Sequence, residues 1–175
     1  ALRLGRAEDL LVELDGIAKV MNQMVLPTKA DATSEIKKRI SVAVLPFIDL
    51  SPEKDQEYFC DGLAEELINS LIPLGNLRVA SRTSAFSYKG KDLDVREIGQ
   101  RLNVGTILEG SIRKAGNRLR ITAQLINVAD GYHLWSERYD RDLVDVFAIQ
   151  EELALAIVDK LKVKLIGKEL SLIHI

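Results

Sequence analysis

The sequence is short of the residues that carry chemistry. It has one cysteine, two histidines and one tryptophan in 175 residues, and 24 Lys plus Arg nearly balance 26 Asp plus Glu. The single Cys60 has no partner for an internal disulfide and cannot build a cysteine metal cage. One histidine, His133, lies in the body of the chain and the other, His174, in its last residues, so neither a metal site nor a cofactor is expected. A net charge of −2 lacks the basic footprint of a dedicated nucleic-acid binder. No apolar run approaches the roughly 20 residues that span a bilayer, no leader pattern opens the chain, and no glycine-rich phosphate loop occurs. The chain opens on Ala1 rather than methionine, so a piece of something longer is expected.

What is present is a globular composition, 47% hydrophobic. Ala7, Leu10, Leu14, Ile17 and Met21 recur at helical spacing, which predicts an amphipathic helix within residues 1–25. Residues 26–39 are polar and small and read as a linker. The folded body runs over 40–167. Ser41-Val-Ala-Val-Leu-Pro-Phe has the continuous apolar, β-branched character of a buried central strand, which Pro46 should interrupt. A helix follows from about Gln56 to Ile72, with Phe59, Leu63, Leu67 and Leu71 in one stripe, stopped by Pro73 and Gly75.

Leu77 to Ala80 reads as a second strand, and Arg82 to Lys91 has no clear assignment. Asp94, with Glu97 three residues on, predicts a capping box opening the next helix. Val104 to Arg113 reads as the third strand and Ala115-Gly-Asn as a hairpin turn. Alternation of Leu119, Ile121, Ala123 and Leu125 with polar residues gives a fourth strand with one buried face. Asp130-Gly131 turns into a fifth strand, Tyr132 to Tyr139, and a last helix spans about Val146 to Leu165. Two strand–helix crossovers imply parallel pairing, and two hairpins imply antiparallel pairing. The predicted fold class is α/β: a mixed five-stranded sheet with helices on both faces.

The blocks Val42-Ala-Val-Leu-Pro-Phe, Tyr58-Phe-Cys-Asp-Gly-Leu-Ala-Glu-Glu-Leu, Arg78-Val-Ala-Ser-Arg-Thr-Ser and Asp94-Val-Arg-Glu-Ile-Gly follow a recognisable order. Leu108-Glu-Gly-Ser-Ile-Arg-Lys, Arg120-Ile-Thr-Ala-Gln-Leu and Gly131-Tyr-His-Leu-Trp-Ser-Glu-Arg-Tyr-Asp complete it. From about Ile40 to Leu165 the chain resembles the TolB N-terminal-like, or FlgO-like, domain of bacterial multidomain signalling proteins. The resemblance implies a three-layer α/β/α sandwich of anticodon-binding-domain-like type and a non-catalytic role. It also implies neighbours: a kinase, cyclase or winged-helix module on one side and tetratricopeptide repeats on the other. Arg6-Ala-Glu-Asp-Leu-Leu-Val-Glu-Leu is similar to the final helix of bacterial protein-kinase domains. A polar linker after such a domain implies a cytoplasmic location; a periplasmic, TolB-like envelope component is the alternative. Residues 168–175 look like translated sequencing adapter, with a native linker as the alternative.

Ligands in open α/β sheets sit outside the carboxyl ends of parallel strands. That rule gathers Asp49, Ser51, Ser81, Arg82, Thr83 and Ser84 as a candidate ligand edge, although the same residue types serve turns and caps. Asp61, Glu65 and Glu66 are nearby carboxylates on the first helix of the body. Arg113, Lys114, Arg118 and Arg120 cluster on the first hairpin, where a charged sheet edge is the simpler reading than nucleic-acid binding. Tyr132, Trp135 and Tyr139 are candidate partner anchors, with one alternating set of that strand expected to pack inward. Cys60 reads as a small core residue and His133 as a sheet residue. No catalytic residue is expected.

Overall fold

The computed structural model describes residues 40–167. The predicted N-terminal helix, the linker and the tail lie outside these. In chain order the elements are β1 (Ser41–Val44), β2 (Ile48–Asp49), α1 (Glu57–Leu71), β3 (Arg78–Val79) and α2 (Arg82–Phe86). They continue with α3 (Val95–Leu102), β4 (Thr106–Ala115), β5 (Arg118–Asn127), β6 (His133–Asp142) and α4 (Val146–Leu161), which runs on through a wider π-type turn, Lys162–Gly167.

The sheet has the order β3-β1-β4-β5-β6. β1 pairs parallel with both β3 and β4, while β5 is antiparallel to β4 and to β6. The mixed α/β sheet predicted from the crossovers and hairpins is therefore present, with a sixth, two-residue strand added. That strand, β2, resumes the pairing with β4 beyond β1, Ile48 opposite Ser111 and Asp49 opposite Ile112. The interruption falls at Pro46, which has no N–H to give a ladder. Leu45 N–H still reaches the Leu108 carbonyl at 2.9 Å, and Leu50 N–H the Ile112 carbonyl at 2.8 Å.

Helices cover both faces. Val42 and Val44 point into a core with Leu63, Leu67 and Leu71 of α1 and Leu153, Ile157 and Leu161 of α4. Ala43 and Leu45 point the other way, against Ala85 of α2 and Ile98 of α3, with Ile107 and Val128. This two-sided burial is why the strand reads as an unbroken apolar run. The second face is only partly covered. Beyond α3 it carries the exposed Arg113, Arg118, Arg120 and Arg138. Arg120 pairs there with Asp140 across β5 and β6 at 2.9 Å.

The ends of the helices follow their capping residues. Asp94 accepts the Arg96 N–H at 2.8 Å and starts α3. The predicted reciprocal arm does not form: Glu97 instead pairs with Arg101 one turn on, at 2.8 Å. Asp145 starts α4 by accepting from the N–H groups of Phe147 (3.1 Å) and Ala148 (3.3 Å).

Candidate functional site

The described residues enclose a cleft of about 660 Å³ at the carboxyl end of β1. Its apolar lining includes Leu45, Phe47, Tyr88 and Ile98; its polar lining includes Asp49, Glu57, Lys89, Glu109, Ser111 and Gln124. Three local features shape it. Pro46 sits where the pairing with β4 is interrupted, and Leu45 and Phe47 on either side of it line the cavity. Gly110 leaves room for the Phe47 ring, which a Cβ there would strike. The connection from Tyr88 to Leu93, between α2 and α3, forms the opposite wall.

Lys89 fastens that wall to α1. Its ammonium group donates to Glu57 Oε1 at 2.6 Å and to Asp61 Oδ2 at 2.7 Å. Hydrogen bonds to Asp61 and then Glu57 raise its pKa above the usual lysine value. Lys91 lies over the Tyr88 ring, 5.7 Å from its centroid. The second carboxylate oxygen of Asp61 is buried with no hydrogen-bond partner.

The six residues of the predicted ligand edge separate. Asp49 lines the cleft. Its two oxygens accept the N–H groups of Ser51 (2.9 Å) and Gln56 (2.7 Å), tying down the loop into α1. Burial opposes its charge, but the bonds from Ser51 and Gln56 outweigh that and lower its pKa. Ser51 is buried, and its hydroxyl accepts the Lys114 N–H at 2.9 Å. Ser81 caps α2 by accepting from Ser84 N–H at 3.2 Å, and its hydroxyl donates to Ser84 Oγ at 2.9 Å. Arg82 stacks on Phe86 at 4.4 Å and reaches Glu65 at 3.5 Å. Thr83 is exposed on the same turn. Only Asp49 of the six lines the cleft; Ser51 and Ser81 accept backbone N–H groups elsewhere, and Arg82, Thr83 and Ser84 lie on α2.

Sequence reasoning did not single out Glu109 as a ligand-facing group. Strand β4 sets it opposite Gln124, half-buried in the cleft lining. Burial raises its pKa above the usual glutamate value, and His133 opposes the shift only in part. Gln124 Oε1 is engaged by His133 Nε2 at 2.7 Å. Cys60, also in the lining, is 1% exposed. Burial, reinforced by the charges of Asp49 and Asp61, pushes its thiol up to about 12, so it is protonated at neutral pH.

The aromatic residues of β6 do not form one patch. A register shift between Leu125 and Ile126 places Trp135 opposite Leu125 and Tyr139 opposite Ile121, both on the core face. Tyr139 is buried, and this corrects its proposed part in a partner surface; its phenol is pushed up to about 12 by burial and by Glu137. Trp135 packs partly buried against the same core, and Tyr132 stands exposed at 74%. Among the described residues no three His, Cys, Asp or Glu side chains are grouped to hold a metal. No helix among them is long and apolar enough to cross a membrane.

Comparison with known proteins adds three findings. Residues 37–166 match the model of the family described as HilA/YgeH-like transcriptional regulator, second domain. A protein of Rhizobium meliloti (strain 1021) named "Putative adenylate cyclase 3" is 46% identical over 140 residues, which are 80% of this chain and 24% of that protein. The chain thus spans about a quarter of the relative it matches. Among solved structures, TolB from Acinetobacter baumannii superposes with a TM-score of 0.50 at 15% identity, covering 73% of this chain and 28% of TolB. Lipoprotein GNA1162 from Neisseria meningitidis superposes with a TM-score of 0.51 at 16% identity, over 70% of this chain and 96% of the lipoprotein. These two likenesses establish a shared TolB-like α/β fold.

Proposed function

Since the chain belongs to the family of HilA/YgeH-like transcriptional regulator second domains, we propose that it is a non-catalytic accessory domain, for ligand sensing or protein interaction, within a larger bacterial regulatory protein. One observation carries this reading. The same module matches a second domain of transcriptional regulators and about a quarter of a protein named as an adenylate cyclase. A unit shared by proteins with such different outputs is better read as controlling an output than as producing it. The protonated Cys60 and the structural bonds of Asp49, Ser51 and Lys89 agree with that role.

The 46% identity favours one setting in particular, in which this chain is the accessory part of an adenylate cyclase whose catalytic domain lies elsewhere in the protein. A kinase in that place and tetratricopeptide repeats beyond the domain are the further neighbours that the family resemblance suggests. Location follows the neighbour: cytoplasmic beside a cyclase, kinase or DNA-binding module, and periplasmic if the TolB-like fold serves an envelope lipoprotein. Excising residues 40–167 from the full-length protein tests the reading. An accessory domain leaves the effector's basal output measurable and removes its regulation. Loss of the chemistry itself, with the remaining domains folded, would contradict it.

A further inference from the structure

The geometry points to an occupant for the cleft: we infer that it binds a small organic cation, an amine carried on an aromatic or aliphatic body. This deepens the reading above and rests on its ligand-sensing arm. At about 660 Å³ the cavity has the size of a small-molecule site, for which roughly 300–1,000 Å³ is usual. One side of it is apolar, with Leu45, Phe47, Tyr88 and Ile98.

The charges of the lining decide the sign of the ligand. Asp49 is satisfied by two backbone N–H groups, Glu57 by Lys89, and Lys89 also by Asp61. Lys91 lies against the Tyr88 ring. Lys54 and Asp92 are exposed to water at the rim. That leaves Glu109, half-buried, with no hydrogen bond or ion pair from any described residue and with only the more distant His133 to oppose its charge. A carboxylate taken partly out of water without a donor is costly, and a cationic donor placed on it returns the lost interaction. An anionic ligand would meet this carboxylate inside the cleft, while the cleft's lysines are engaged or at its mouth. An ammonium group on Glu109 would lay its apolar body along Leu45, Tyr88 and Ile98, which pack on the same face of the sheet.

The test uses the 175-residue chain and 2-phenylethylamine, followed by backbone amide NMR shifts. Saturable shifts are expected at Leu45, Phe47, Ile98, Glu109 and Gln124. 3-Phenylpropionate, with a matching body and the opposite charge, should bind at least about tenfold more weakly. Glu109→Gln should weaken the amine by about tenfold and leave binding of neutral 2-phenylethanol unchanged. Ser111→Phe, which fills the cavity without removing the carboxylate, should abolish amine binding, and it decides the matter should Glu109→Gln fail to fold. Absence of saturable cleft shifts, equal binding of the acid, or full amine affinity in either folded variant would overturn the proposal. Such a failure leaves the accessory reading intact, because excision of residues 40–167 tests that separately.

Discussion

Cys60 and Glu109 line the same cleft and are pushed in the same direction by burial, with different consequences. The Cys60 thiol, at about 12, is un-ionised in the folded chain and 1% exposed. It should therefore resist a disulfide reagent at mild alkaline pH and react at once after denaturation; rapid labelling of the folded chain would contradict this. For Glu109 the folded pKa lies above the ordinary 4.5. Below that value the residue is protonated in both states and costs nothing. Above the folded pKa it is charged in both states and the burial penalty is fully present. Glu109→Gln should thus raise the urea midpoint at pH 7, and the gain should fade as pH falls through the folded pKa and be gone below about 4.5. A gain independent of pH would assign the effect to packing.

Single elements test the local causes of the fold. Asp145 holds two backbone N–H groups at the start of α4. Asp145→Ala should cost about 1 kcal/mol in chemical denaturation. Gly110 lies where strand β4 passes closest to the Thr122 carbonyl and the Phe47 ring. Gly110→Ala should destabilise by about 1–3 kcal/mol, since a backbone oxygen cannot step aside as a side chain can. A neutral Gly110→Ala would mean that β4 and β5 separate easily at this point. The elements legible in the sequence were those with a pattern or a stop signal long enough to show: α1 and α4 with their apolar stripes, α3 behind its Asp94 cap, β1 as an apolar run, and β5 with strict alternation. Those that escaped it have no period to show. α2 is five residues of mixed character made helical by the Ser81 cap, and β2 is two residues held by β4. The register shift at Leu125/Ile126 is likewise a pairing property, and it decided that Trp135 and Tyr139 turn to the core.

At the scale of the molecule, the carboxyl-end rule for parallel strands pointed to the end of the sheet where the cleft lies, and of its six residues Asp49 lines that cleft. It did not single out Glu109, whose candidacy rests on its register opposite Gln124, the wall from Tyr88 to Leu93, and the lack of a donor among the described residues. Nor could it foresee that Ser51 and Ser81 would spend their hydroxyls on the backbone. The resulting picture is a sheet with a two-helix core on one side and, on the other, a half-covered face whose uncovered boundary forms the cleft. The sharpest check is to incubate the 175-residue chain with ATP and Mg²⁺ and to quantify cyclic AMP, ADP and phosphoprotein. An accessory domain yields none of them above buffer. A product that forms with the purified chain and falls in Glu109→Gln or Ser111→Phe would make the cleft an active site and contradict the accessory role.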